Sequence, residues 1–461
     1  METDAALALS RRIARVLLGP PQERAIRVEY WDGSSDPPPN AASCLRLAWP
    51  GAFRRMLLPP TNRSVGEAYV RGDIDLVGDV EAAVRSGWTR LESLKRPRER
   101  ARLFALLMRL PARPRRGGHV SPARTKPRVG SHRAARGDAG AVRFHYDVGN
   151  EFFRLFLDER MQYSCAYFRS ADMSLEEAQA AKLDLICKKL RLKPGERFLD
   201  VGCGWGGLVA HATQHFGVHS VGITLSPAQA TWARRYIKQL GLADRCSIEV
   251  MDYRDLGQAA PFDKAASVGM IEHVGLRRYS TYFHAVRRAL RPDGVFLNHG
   301  IVNLRWGHTV RGRIRQRIGR RHSFIHRHIF PSSDLVPAGH TLARAERAGF
   351  EVHDVESLRE HYAWTLRHWL NRLEDRWDAA VAEVGEATTR AWRFYMGACA
   401  HLFAAGHMGI VQSILSVPQP RDRRDAPATR EDLYADEIAP TPRSEGFQAP
   451  DGAPAQSRST T

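Results

Sequence analysis

The stretch Phe198–Leu208 reads FLDVGCGWGGL, and it constrains the fold more than any other part of the chain. An apolar run into Asp200, followed by glycines at 202, 204, 206 and 207, predicts a β-strand that turns sharply into a helix. Glycines at such a turn let the backbone approach a ligand at the carboxyl end of a parallel strand. Taken alone the pattern is ambiguous, because Gly202, Gly204 and Gly207 also satisfy the dinucleotide fingerprint GxGxxG.

The neighbouring segments narrow the choice. Asp200 falls inside the last turn of the first strand, ahead of the glycines. The next strand ends in Gly222-Ile223-Thr224-Leu225-Ser226, with no acidic residue where an NAD enzyme holds the ribose diol. The third ends in Met251-Asp252-Tyr253, a carboxylate and a ring where an adenine would lie. These features favour S-adenosylmethionine, although Asp252 also reads as a helix N-cap.

Strands are expected at Arg197–Val201, Ser220–Thr224, Ser247–Met251, Lys264–Val268 and Gly294–His299, with helices such as Leu175–Leu190 and Pro227–Leu240 between them. That alternation predicts an α/β fold over residues 142–417, a doubly wound, Rossmann-like parallel sheet; with the S-adenosylmethionine features at its strand ends, the expectation is a class I S-adenosylmethionine methyltransferase fold. Residues 1–110 read as a small α+β domain. It has short strands at Ala25–Tyr30 and Ser43–Leu47, a helix and turn at Gly66–Gly72, and a basic amphipathic helix at Leu91–Leu110. Residues 111–141, rich in Pro, Gly and Arg, are a flexible basic linker, and 418–461 a disordered tail.

The 461 residues carry a net charge of +19, mostly from arginine, which calls for an anionic partner. None of the six cysteines forms a CxxC pair, so no metal site is expected, and their spacing favours a reducing compartment. Neither a signal peptide nor an apolar run long enough to span a bilayer is evident. The expected location is cytoplasmic, peripheral on the inner face of a membrane.

Seven further strings carry a specific resemblance: HYDVGN (145–150), MQYSCAYF (161–168), GITLSPAQ (222–229), MDYRDL (251–256), SVGMIEHVG (267–275), LNHGI (297–301) and GACA (397–400). With LDVGCGWGG (199–207) they make residues 145–417 resemble the cyclopropane-fatty-acyl-phospholipid synthase family, which includes the mycolic acid cyclopropane synthases. The resemblance implies transfer of a methylene carbon from S-adenosylmethionine to the cis double bond of an unsaturated phospholipid acyl chain. The alternative within the fold is a fatty-acyl C-methyltransferase that leaves a methyl branch. Candidate cofactor residues are Tyr163, Ser164, Asp200, Gly202, Cys203, Gly204, Thr224, Leu225, Gln229, Asp252 and Tyr253. The resemblance also implies a bound bicarbonate that acts as base, held by Cys165, Glu272, His299, the Ile301 backbone and Tyr362, and an active-site cysteine at Cys399.

The chemistry itself demands such a set. An isolated alkene is a poor nucleophile, its attack on a sulfonium methyl leaves a cation, and water must be excluded while a base removes a proton. A small anion needs fixed donors, which an imidazole, a phenol and a backbone N–H supply; Glu272 would orient them or pass the proton on. Each residue alone also has a plainer role: core histidine, buried cysteine, helix cap or packing tyrosine. Tyr362, Trp364, Trp369, Trp377, Trp392, Phe394 and Tyr395 offer ring faces to a cation, or form helix core.

Partners follow in the same way. The substrate lies in an anionic membrane, and the Arg-rich Leu304–Ile329 is the expected dock. The N-terminal domain resembles the accessory domain of the bacterial synthases, which implies lipid handling or a homodimer. Nucleic acid is not expected, because Gly269-Met270-Ile271-Glu272-His273 replaces the polar-Pro-Pro-aromatic motif of base-modifying enzymes. Gly300 stands where the family often has threonine.

Overall fold

The computed structural model describes residues 2–38, 40–93, 97–112, 148–257, 261–305, 323–330, 333, 335–418, 429 and 431. Most of the linker and tail, the centre of the Arg-rich segment (306–322) and the HYD of HYDVGN lie outside the described residues.

Two sheets form. The N-terminal one contains β1 (Arg27–Glu29), β2 (Ser35–Asp36), β3 (Ser43–Leu47) and β4 (Ile74–Gly78) in the order β2-β1-β3-β4. Its helices bury an apolar cluster that includes Ile13, Phe53, Tyr69 and Leu107. The single helix expected at Leu91–Leu110 is instead divided between two, Val80–Ser93 and Pro97–Met108. Proline disrupts a helix interior but suits a first turn, so the second helix starts at Pro97.

The larger sheet contains β5 (Arg197–Val201), β6 (His219–Thr224), β7 (Cys246–Val250), β8 (Phe262–Val268), β9 (Leu290–Asn303), β10 (Glu351–Ser357) and β11 (Met408–Ser416). Their order is β10-β11-β9-β8-β5-β6-β7. β5 to β9 are parallel, and β11 runs antiparallel between β9 and β10. The chain winds outward in both directions from β5 and β8, so a crevice opens at the carboxyl end of β5. Helix Leu175–Leu190 leads into β5; Ser174 and Glu177 form a capping box at its start, which fixes where it begins.

Helix Glu386–Ala404 joins the two sheets. Arg390 donates to the carbonyls of Tyr69 (2.8 Å) and Ile74 (3.0 Å). Arg393 donates to the carbonyls of Leu76 (2.7 Å) and Gly78 (3.0 Å) and to the Tyr69 hydroxyl (2.9 Å). From the neighbouring helix Arg359–Asp375, Arg367 forms a bidentate pair with Glu81 at 2.6 and 2.7 Å. Met1–Gln419 accordingly forms one compact unit that holds both sheets. Among the described residues no helix is long and apolar enough to cross a membrane.

Candidate active site

The end of β5 carries the first part of the site. Asp200 is buried, and Gly202, Gly204 and Gly206 have φ of +88°, +53° and +82°, which only glycine adopts freely. A Cβ built on Gly204 would meet no atom within 4 Å, because that residue borders an open cleft. Tyr163, Ser164, Asp200, Gly202, Cys203, Gly204, Thr224, Leu225, Gln229 and Tyr253 all line this cleft. Three of them hold buried polar atoms without a protein partner: Asp200 Oδ1, Gln229 Nε2 and the Tyr253 hydroxyl. Buried polar groups are normally paired, so these atoms mark where a polar ligand fits. Asp252 does not line the cleft. Its carboxylate caps the turn Tyr253–Asp255 and is gripped by the Arg254 guanidinium at 2.6 and 2.9 Å, which holds it below the usual carboxylate range.

Lys182 belongs to this region and was absent from the sequence candidates. It is fully buried, and its Nζ donates to Gln162 Oε1 (2.7 Å) and Ser164 Oγ (2.9 Å), both in residues that line the cleft. Burial pushes its ammonium down to about 8. Burial also pushes Asp200 up to about 7, and the charge on Lys182 opposes that shift. The signal was present in the sequence: Lys182 interrupts the apolar face formed by Ala178, Ala181 and Ile186.

A buried cluster lies behind the cleft. The segment Met161–Phe168 spans both, with Tyr163 and Ser164 in the cleft and Cys165 in the apolar cluster behind it. The Ile271–Val274 turn does the same, with His273 in the cleft and Glu272 buried beyond it. Cys165, Glu272, His299, Tyr362 and Cys399 are all buried. Glu272 Oε1 accepts the Ile301 N–H at 2.5 Å, while its Oε2 has no partner. Gln412 Nε2 donates to His299 Nδ1 at 3.2 Å, which assigns the ring proton to Nε2, and Nε2 also lacks a partner. Burial raises Glu272 to about 7 and lowers His299 to about 3, so the imidazole is neutral at physiological pH. Burial raises Cys399 to about 12, so it is a thiol rather than a thiolate. The Cys165 thiol lies 3.2 Å from the Ala166 carbonyl.

The aromatic row divides between locations. Tyr163 stacks on Trp369 at 5.1 Å between centroids, Tyr362 meets Trp369 edge-on at 6.0 Å, and the Tyr163 and Tyr395 hydroxyls are 3.2 Å apart. Trp392 packs against Phe153 and Tyr163. Phe394 instead turns to Tyr69 and Phe324 in the N-terminal core, and Trp364 packs on Phe168. The glycine at 300 has a packing reason: its Cβ would lie 2.3 Å from Ile271 Cγ2, so the isoleucine fills the space of a side chain there.

Strand order and glycine cradle together define a class I S-adenosylmethionine-dependent methyltransferase fold. The sequence model of the family described as mycolic acid cyclopropane synthetase matches residues 133–413, and the chain belongs to that family. It is an S-adenosylmethionine-dependent methyltransferase of the cyclopropane synthase type. A protein named probable fatty acid methyltransferase from Pseudomonas putida is 38% identical over 411 residues, 89% of this chain and 96% of that protein. The cyclopropane-fatty-acyl-phospholipid synthase of Escherichia coli K12 is 39% identical over 59% of this chain and 66% of its own. Among solved structures, mycolic acid cyclopropane synthase CmaA1 complexed with SAH and CTAB superimposes with a TM-score of 0.56 at 35% identity, covering 60% of this chain and 98% of its own.

Proposed function

We propose that this enzyme closes a cyclopropane ring on the cis double bond of an unsaturated phospholipid acyl chain, with a bound bicarbonate as base. The observation that carries the reading is that two buried polar atoms behind the cleft lack a protein partner, acceptor Glu272 Oε2 and donor His299 Nε2. A singly protonated oxyanion complements such a pair, donating to the carboxylate and accepting from the imidazole. S-adenosylmethionine, when bound in the cleft, supplies the electrophilic methyl group. The walls around Trp369, Tyr362 and Trp392 exclude water and present ring faces to developing positive charge. The alkene π pair makes the new carbon–carbon bond as the carbon–sulfur bond breaks. Loss of a proton from the transferred carbon then leaves the electron pair that closes the ring. Glu272, poised near neutrality, would accept a proton at Oε2 from an anion held beside it.

A second reading, a methyl-branched product, is favoured by the name of the Pseudomonas putida relative that spans most of this chain. Purified enzyme with unsaturated phospholipid and S-adenosylmethionine separates the two. A one-carbon mass gain with ring protons in the NMR spectrum is the expected result. A methyl or methylene branch overturns ring closure, and unchanged lipid overturns both. The proposed substrate lies in an anionic membrane; the Arg-rich dock expected for it falls largely outside the described residues.

A further inference from the structure

Helix Pro97–Met108 has two apolar faces. Its inward face, Leu103, Leu106 and Leu107, joins the N-terminal core. On the other side Ala101, Phe104, Ala105 and Met108 repeat at the i, i+3, i+4, i+7 spacing of a second stripe, and all four are exposed. Phe104 is 54% and Met108 46% exposed, and they are the only two exposed large apolar side chains among the described residues that share one helix within a turn. At 3.6 residues per turn, Arg98, Arg102 and Arg109 fall along one edge of this stripe and Arg100 along the other. The acidic residue Glu99 falls towards the buried side. Among the described residues no ion pair engages Arg98, Arg102 or Arg109, and all three are exposed.

We infer that this outer face of helix Pro97–Met108 is a docking surface for an anionic phospholipid bilayer. The inference rests on the lipid substrate proposed above. A helix that lies in the headgroup layer needs a narrow apolar stripe to insert and cations along its borders to meet lipid phosphates, and this face has both. The net charge of +19 attracts the whole molecule to the same surface. A second copy of the chain is a poorer occupant. A twofold contact between two such faces sets arginine rims against each other, and like charges brought together oppose association.

Vesicle flotation of the full-length protein tests this. Vesicles of phosphatidylglycerol and phosphatidylcholine are compared with phosphatidylcholine alone. Two variants are used, F104S/M108S and R98Q/R102Q/R109Q. The parent is expected to bind the anionic vesicles and to be released by salt. F104S/M108S should bind at least tenfold more weakly, and the arginine variant should also bind less tightly and with a shallower salt dependence. Affinity for S-adenosylmethionine by calorimetry, and turnover of lipid dispersed in detergent, should stay within twofold in both. Those two readouts separate loss of docking from loss of the chemistry, so a failure of the ring-closure reading shows in them and not in flotation. Parent-like vesicle binding in both variants overturns the inference, as does a parent that ignores anionic vesicles. So does a variant that loses self-association while lipid binding is retained, because the face then serves a second copy.

Discussion

Lys182 is a cation sealed behind the cofactor cleft, held by neutral oxygens of Gln162 and Ser164 and facing Asp200 only through space. Its charge is the main counterweight to the desolvated carboxylate at the end of β5. Lys182→Met removes two charge-assisted hydrogen bonds, each contributing about 1.5–3 kcal/mol, and releases two cleft residues. S-adenosylmethionine affinity should fall tenfold or more by calorimetry, with Lys182→Arg intermediate. Glu272 presents the opposite trade. Its folded pKa of about 7 lies above the ordinary glutamate value, so the native state binds more protons than the unfolded chain between those limits. Stability from this residue is therefore present at acid pH and lost as pH rises through about 7, by up to about 3 kcal/mol at 1.36 kcal/mol per unit. Glu272→Gln should raise the calorimetric unfolding midpoint above about pH 8 yet leave it nearly unchanged at about pH 5. Turnover should fall by about 10²–10⁴ in the same variant. In the parent, kcat/KM should rise with pH through about 7 as Glu272 ionises, a limb that the glutamine variant lacks.

At the scale of elements, the helix Glu386–Ala404 carries Tyr395 and Cys399 on one side and is anchored by Arg390 and Arg393 on the other. Arg393→Met leaves the carbonyls of Leu76 and Gly78 and the Tyr69 hydroxyl without that donor. Each buried orphan costs about 1–3 kcal/mol, so urea unfolding should show a loss of at least about 2 kcal/mol. Sequence patterning located β5 to β9 to within a few residues, because short apolar runs punctuated by glycine have few other readings. β10 and β11 carry no comparable signal. β10 is an edge strand whose EVHDVES is polar at five of seven positions and has no fully buried residue, so it lacks an apolar face to announce it. β11 is buried along nearly its whole length, so its MGIVQSILS lacks the alternation that signals a strand. Most of the cleft was legible because the glycine turn and its neighbouring strand ends announce themselves locally. Lys182 is legible only as a lone cation on an apolar helix face; its role is not, because its partners lie 18 and 20 residues away and only the fold brings them together. Asp252 points the other way: the residue two positions on, Arg254, captures the carboxylate.

Across the whole molecule, the N-terminal sheet is packed into the enzyme rather than appended to it. Ala387, Ala391 and Phe394 of the Glu386–Ala404 helix belong to the same apolar cluster as Tyr69 and Val80. A Cβ on Gly397 would come within 2.7 Å of Val80. A chain that begins at residue 142 would expose that cluster and strip Arg390 and Arg393 of their acceptors. It should aggregate or unfold at lower urea than the full chain, as light scattering and fluorescence would record. Gly397→Val in the full chain should weaken the same seam, because the added methyls have nowhere to go.

The anchor across that seam has an asymmetry with consequences over generations. Arg390 and Arg393 make four of their contacts to main-chain carbonyls, of Tyr69, Ile74, Leu76 and Gly78, which every amino acid possesses. The acceptors at Ile74 and Leu76 therefore survive exchange for another apolar residue, while Gly78, with φ of +80° and no room for a Cβ beside the Ala42 carbonyl, stays fixed for its own reason. The helix has no such freedom, because only a guanidinium reaches several carbonyls at once with a planar fork. Relatives whose apolar residues at 74 and 76 differ should still share arginines at the positions equivalent to 390 and 393, so descent leaves a sharper trace on one partner of the contact than on the other.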